Sequence, residues 1–276
     1  MKNPRNEKIL SVNICASSEK DILFTVNKRL SKVRQTIIFT PNPQILLRAQ
    51  RSTSYQKILN SATINLPDGV GIVLASKMRK GKIKSRIGGI DFATKILSIA
   101  EKRGYKVFLL GAKPNVANKA KRTLKNDFPS LQICGTHHGY FQKSGKENQA
   151  VIKKIASASP DIIFVCFGSP EQEIWIAKNK NKVPQIKLFI GLGGSLDVFS
   201  GNVKRAPKFI QALGVEWLYR TIKDPKRARI FLDIPIFLFK ILKEKIMHPP
   251  KKEDALFQLK IYLVVVLFHR LISHIV

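Results

Sequence analysis

Three apolar runs in this chain end in glycine, at Gly111, Gly168 and Gly191, and each leads into a helix-like segment. Glycine at a strand-to-helix turn lets backbone N–H groups approach an anion, and a helix N-terminus favours negative charge. Plain turn chemistry explains any one of them. Three on one edge point to a ligand the size of a nucleotide. A second group of polar residues stands with them. Thr40 and Asn42 lie in Thr40-Pro41-Asn42-Pro43, and Asp68 lies in Leu66-Pro67-Asp68-Gly69. Pro-Asp-Gly is also a common turn in which Asp serves only local hydrogen bonding.

The elements around these residues bring them together. Gln35 to Phe39 (QTIIF) reads as a strand. The two prolines after it end the strand and start a helix, because Pro lacks an N–H and has a fixed φ. The helix begins near Gln44 and continues or restarts at Ser52 to Asn60. Ala62 to Leu66 reads as the next strand. Strand, helix, strand is a βαβ unit whose parallel strands end on the same side of the sheet. The tip with Thr40 and Asn42 is therefore expected beside the tip with Asp68, on the edge where open α/β sheets bind ligands.

The same alternation continues. Ile9–Ile14 reads as a strand and Ser18–Lys32 as a helix. A helix over Gly88–Arg103 precedes a strand over Lys106–Leu110, and a helix from Asn115 precedes a strand at Leu131–Cys134. A helix over Asn148–Ala158 leads to the strand Asp161–Phe167, then a helix over Glu171–Asn179 and a last strand at Lys187–Ile190. This predicts an α/β fold, a Rossmann-like, mainly parallel sheet with helices on both faces. Gly191-Leu192-Gly193-Gly194-Ser195-Leu196 lacks the third glycine of a dinucleotide fingerprint, and no GxxxxGK[ST] loop occurs.

The chain has 276 residues, 44% of them hydrophobic, enough for one large domain with an appendage. Lys and Arg total 49 and Asp and Glu 18, a formal net charge of +31. Such a chain is attracted to nucleic acid, anionic lipid or phosphorylated ligands, and charge alone does not choose. Cys15, Cys134 and Cys166 are scattered and unpaired in spacing, which fits reduced thiols in a cytoplasmic protein. No zinc-ligand spacing occurs. The basic N-terminus has no long apolar stretch and is not read as a secretory signal.

Composition changes near Val203, which divides the chain into residues 1–202 (core), 203–247 (basic and apolar helical appendage) and 248–276 (apolar tail). The appendage holds Arg220, Lys223, Lys226, Arg227 and Arg229 with Trp217 and Tyr219 among them. Ile230 to Leu242 (IFLDIPIFLFKIL) is too short, and the apolar core of Leu256 to Val276, IYLVVVLF, is broken by His269 and Arg270, so neither offers the roughly 20 continuous apolar residues a span needs. Flanked by lysines, they suit helices lying in a membrane surface, with Phe231, Leu232, Ile236, Phe237, Leu238 and Phe239 as the apolar side. Core helices of the domain or of an oligomer would read the same way.

In order, TPNPQ, LPDGVGIV, RIGGIDF, VFLLGAKPNVA, GYF, PDIIFVCFGSPEQEIWI, GLGGSLDVFSG, KRAP, GVEWLYRTIK and DPKRAR occupy about Ser31 to Arg229. This series resembles the WecG/TagA/CpsF family of bacterial glycosyltransferases (glycosyltransferase family 26). The resemblance implies inverting transfer of N-acetylmannosamine, or its uronic acid or a related hexose derivative, from a UDP-sugar to a polyprenyl-diphosphate-linked sugar. It implies a peripheral enzyme on the cytoplasmic face of the cell membrane, at work in teichoic acid, common-antigen or capsule assembly. Asp68 matches the family's proposed base, and Thr40 and Asn42 match residues beside it. Arg86 matches an arginine near the diphosphate. Gln172 matches a polar pocket residue with Glu173 next to it, and Arg220, Arg227 and Arg229 match arginines thought to close over the leaving UDP. The sequence holds no Asp-X-Asp, so arginines are expected to neutralise the diphosphate without metal or other cofactor. Glu171 and Glu173 are the nearest acidic pair. Residues beyond about Met247 extend past the family's usual end.

Two other classes stand beside this reading. An α/β nucleotide-dependent oxidoreductase is disfavoured by the damaged glycine fingerprint. A basic nucleic-acid-binding protein would need aromatics interleaved with Lys and Arg on one face, which holds only around Trp217. The expected partners are therefore a UDP-sugar, a lipid-linked acceptor and an anionic membrane surface, not nucleic acid, with homo-oligomerisation left open.

Overall fold

A computed structural model describes residues 5–212, 216–223 and 230–247. It opens on an antiparallel hairpin, β1 (Asn6–Ile9) and β2 (Val12–Cys15). The turn residues Leu10 and Ser11 both have positive φ, 44° and 65°. That backbone follows the twist of the strands but normally calls for Asn-Gly. Leu-Ser carries no such signal, so the sequence reading placed one strand where a hairpin stands.

The chain continues through α1 (Glu19–Ser31), β3 (Thr36–Phe39), α2 (Pro43–Gln50), α3 (Thr53–Asn60) and β4 (Ile64–Asn65). Then come α4 (Val70–Met78), α5 (Gly89–Arg103), β5 (Val107–Gly111), α6 (Val116–Asp127) and β6 (Ile133–His137). They are followed by α7 (Gly145–Ala158), β7 (Ile162–Cys166), α8 (Glu171–Asn179), β8 (Leu188–Gly191) and α9 (Ser195–Phe199). The described part closes with α10 (Lys208–Ala212), α11 (Glu216–Lys223) and α12 (Ile230–Met247). Among the helices, the sequence reading gives α4 no place and sets no bounds for α9, α10 or α11. The segment of α4, VGIVLASKM, follows directly on the Pro-Asp-Gly turn.

Strands β3 to β8 form one sheet in the order β4-β3-β8-β7-β5-β6, and every pairing is parallel. Alternate strand residues face opposite sides. Phe39, Leu110, Ile163 and Phe189 join one buried cluster with α2, α4, α8 and α12. Ile38, Leu109, Phe164 and Ile190 join the other with α1, α5 and α6. Both faces are thus covered, as a parallel sheet requires.

The helix α12 corrects one expectation. Phe237 and Ile241 are completely buried, in a cluster with Ile45, Leu46 and Ile72. Polar contacts flank this packing: Gln44 Nε2 donates to Asp233 Oδ2 at 2.6 Å, and Arg79 pairs with Glu244 at 2.6 Å. Phe237 was expected on an apolar outer surface; it is instead a core side chain. Leu232, 63% exposed, does face outward. No helix among the described residues is long and apolar enough to cross a membrane.

Candidate active site

The carboxyl edge of the sheet opens into a cleft of about 360 Å³. The loops after β3, β4, β7 and β8 border it, supplying Thr40 and Asn42, Asp68, Ser169, and Gly193 respectively. Asn42 caps α2, its Oδ1 accepting from Ile45 N at 3.0 Å, with Pro43 in the first turn. Capping thus fixes where α2 starts and holds Asn42 at the rim. Thr40 is 8% exposed and donates from Oγ1 to the Gly191 carbonyl at 3.1 Å, joining the tips of β3 and β8. The Asp68 N–H donates to Pro41 O at 3.2 Å, joining the tips of β3 and β4. The predicted convergence of Thr40, Asn42 and Asp68 is therefore present.

Asp68 is partly buried, and burial is the main reason its carboxyl titrates near 6, above the usual range. The Arg86 guanidinium and a hydrogen bond from the Gly89 N–H pull the value down; the Glu216 and Asp91 carboxylates push it up. A carboxylate with a value near neutrality is suited to accept a proton in turnover. Arg86 lines the cleft and donates from Nη2 to Gln211 O at 3.3 Å.

Gln172 is 1% exposed and borders the cleft from the first turn of α8. Its Oε1 accepts from Gly193 N at 2.8 Å and its Nε2 donates to Glu173 Oε1 at 2.7 Å. A Cβ on Gly191 would lie 3.0 Å from that Nε2, so glycine there makes room for Gln172. Glu173 is fully buried and does not line the cleft. Its oxygens accept from Tyr55 Oη at 3.1 Å, Ser169 Oγ at 2.7 Å and Gln172, and burial raises its pKa. It hydrogen-bonds two lining residues, Ser169 and Gln172. Glu171 is exposed, and no group of three or more potential metal ligands occurs among the described residues.

Gly111, Gly168 and Gly191 also do not line the cleft. Gly111 has φ 138°, and a Cβ there would stand 2.3 Å from the Cys166 carbonyl; it serves the contact between β5 and β7. Gly168, with φ 86°, forms the turn that presents Ser169. A close backbone contact at Gly111, a side-chain contact at Gly191 and a positive φ at Gly168 account for these glycines; Ser169, Leu192 and Gly193, close to two of them, border the cleft. Arg220 belongs to α11. Arg227 and Arg229 lie outside the described residues.

Several lining residues were quoted within motifs but given no role: Asp91 in RIGGIDF, Arg205 in KRAP, and Glu216 and Trp217 in GVEWLYR. Arg205 forms a fork with Asp91, Nη1 to Oδ1 at 2.6 Å and Nη2 to Oδ2 at 3.2 Å. Its Nη2 also reaches Glu216 Oε2 at 3.3 Å. The one hint in the sequence was charge: Asp91 and Glu216 are two of only 18 acidic residues set against 49 basic ones.

Three carboxylates, two arginines and small polar groups at the carboxyl edge of a parallel sheet make a cleft suited to a polar ligand of an α/β enzyme. The chain belongs to the glycosyl transferase WecG/TagA/CpsF family, whose model matches residues 7–251. It is a glycosyltransferase. Its relatives include an N-acetylglucosaminyldiphosphoundecaprenol N-acetyl-beta-D-mannosaminyltransferase of Bacillus spizizenii, 40% identical over 216 residues, 78% of this chain and 82% of that protein. The protein of the same name from Bacillus subtilis is 38% identical over 222 residues, 79% and 85% of the two chains. That from Staphylococcus aureus strain MRSA252 is 40% identical over 208 residues, 75% and 80%.

Proposed function

We propose that this protein transfers N-acetylmannosamine from a UDP-sugar, with inversion, to N-acetylglucosamine carried on undecaprenyl diphosphate. The acceptor and transferred sugar follow the names of relatives about 40% identical. The observation that carries the mechanism is the raised carboxyl of Asp68 in the same cleft as Arg86. Asp68 takes the proton of the acceptor hydroxyl as its oxygen forms the new bond to the anomeric carbon. The bond from that carbon to the UDP oxygen breaks on the opposite face, and UDP leaves with the electron pair. Arg86 offsets the charge that grows on the diphosphate, and Arg220, Arg227 and Arg229 are proposed to add to it. Thr40, Asn42 and Gln172 hold the sugar. Teichoic acid linkage-unit assembly on the cytoplasmic face of the membrane is the setting this chemistry fits. The basic surface of a +31 chain is proposed to dock on anionic lipid there.

The test is UDP release from a panel of UDP-sugars with a lipid-linked N-acetylglucosamine acceptor. UDP-N-acetylmannosamine should be the preferred donor. If arginines do the neutralising, EDTA leaves the rate nearly unchanged. A rate abolished by EDTA and restored by Mg²⁺ contradicts metal-independent transfer.

A further inference from the structure

Glu216 is 8% exposed, yet it lines the same cleft as Asp68. One carboxylate oxygen, Oε2, accepts from Arg205. The other, Oε1, is closed off from water and has no hydrogen-bond partner among the described residues. Arg205 repeats the pattern. Both of its Nη atoms are engaged by carboxylates, while its Nε–H is buried without a partner among those residues. A buried charged group left half satisfied costs free energy and calls for a partner such as a bound ligand.

The two groups form a complementary pair: an acceptor on Glu216 and a donor on Arg205, held together by their own ion pair. A secondary amide offers the reverse pair, one N–H and one C=O. We infer that Glu216 and Arg205 recognise the acetamido group of a sugar bound beside Asp68, Glu216 Oε1 accepting its N–H and Arg205 Nε donating to its carbonyl. The terminal torsion of Glu is broad, so a small rotation presents Oε1 to the cleft. Asp91, through its two-oxygen fork, fixes the guanidinium plane. This specificity site rests on the proposed transfer reaction, in which donor and acceptor sugars both carry an acetamido group.

The experiment crosses substrates with variants. UDP-N-acetylmannosamine is compared with UDP-mannose, and lipid-linked N-acetylglucosamine with lipid-linked glucose. In Glu216→Gln, Arg205 holds the amide oxygen, so the NH₂ takes the place of Oε1 and meets the sugar N–H donor to donor. The expected loss in kcat/KM is about 10- to 100-fold, the worth of one hydrogen bond to a charged group. It falls only on the acetamido member of one substrate pair, and that pair tells which sugar is read. Any effect of Glu216 on Asp68 falls on all substrates alike and cancels in the ratio. Arg205→Lys keeps the charge, loses the Nε–H, and should lose the same discrimination, which guards against a misfolded Gln variant. An active wild type with no acetamido preference, or variants that lower all substrates equally, overturns the inference alone. A wild type that transfers from no sugar nucleotide overturns the proposed function and this inference with it.

Discussion

Asp68→Asn lowers kcat by roughly 10²–10⁴, the usual weight of general-base catalysis, and leaves UDP binding in place. Asn keeps the size of the side chain and its preference for the Pro-Asp-Gly turn. The backbone bond from residue 68 to Pro41 is unaffected, so the tips of β3 and β4 stay joined. What is removed is the proton acceptor. Stability supplies a second readout. The folded value near 6 lies above the ordinary 3.8, so the native state holds this carboxylate charged at a cost once pH exceeds 6. The Asn variant should therefore unfold at higher temperature than wild type at pH 8, and the gap should close as pH falls toward 4. Near-normal turnover in the variant ends the base assignment.

Phe237→Ala destabilises the protein by about 3–5 kcal/mol, the range for emptying a large aromatic site in a core. The ring is completely buried where α12 packs on α2 and α4. Ile234, one turn before it, lines the cleft, so loosening α12 also loosens one wall of the site. Urea unfolding measures the first effect and KM for the sugar nucleotide reports the second. An unchanged unfolding midpoint together with weaker liposome binding would return Phe237 to the membrane surface.

The parallel sheet was legible because its strands are continuous apolar runs separated by helical ones, and both faces must be covered. Thr40, Asn42 and Asp68 were legible because a βαβ unit puts successive strand tips on one edge. The hairpin was not, since Leu10-Ser11 adopts a turn its residue types do not announce. The side of α12 that faces inward was not, since an apolar stripe beside lysines suits a bilayer and a core equally; only the surface offered by α2 and α4 decides. The Asp91–Arg205–Glu216 cluster was out of reach for another reason. Its members come from α5, the loop before α10, and α11, and no spacing rule links residues so far apart in the chain. The glycines were ambiguous because a tight strand-to-helix turn, a close backbone contact and an anion site call for the same residue.

The most direct measurement is the pH dependence of kcat/KM for transfer of N-acetylmannosamine, in wild type and in Asp68→Asn. A base that must be ionised, with its value near 6, gives a wild-type rate that falls as pH drops through 6 and is level above it. The residual rate of the variant should show no such limb. A wild-type limb near about 4, the ordinary carboxylate range, or a limb at 6 that persists in the variant, would contradict Asp68 as the group that takes the acceptor's proton.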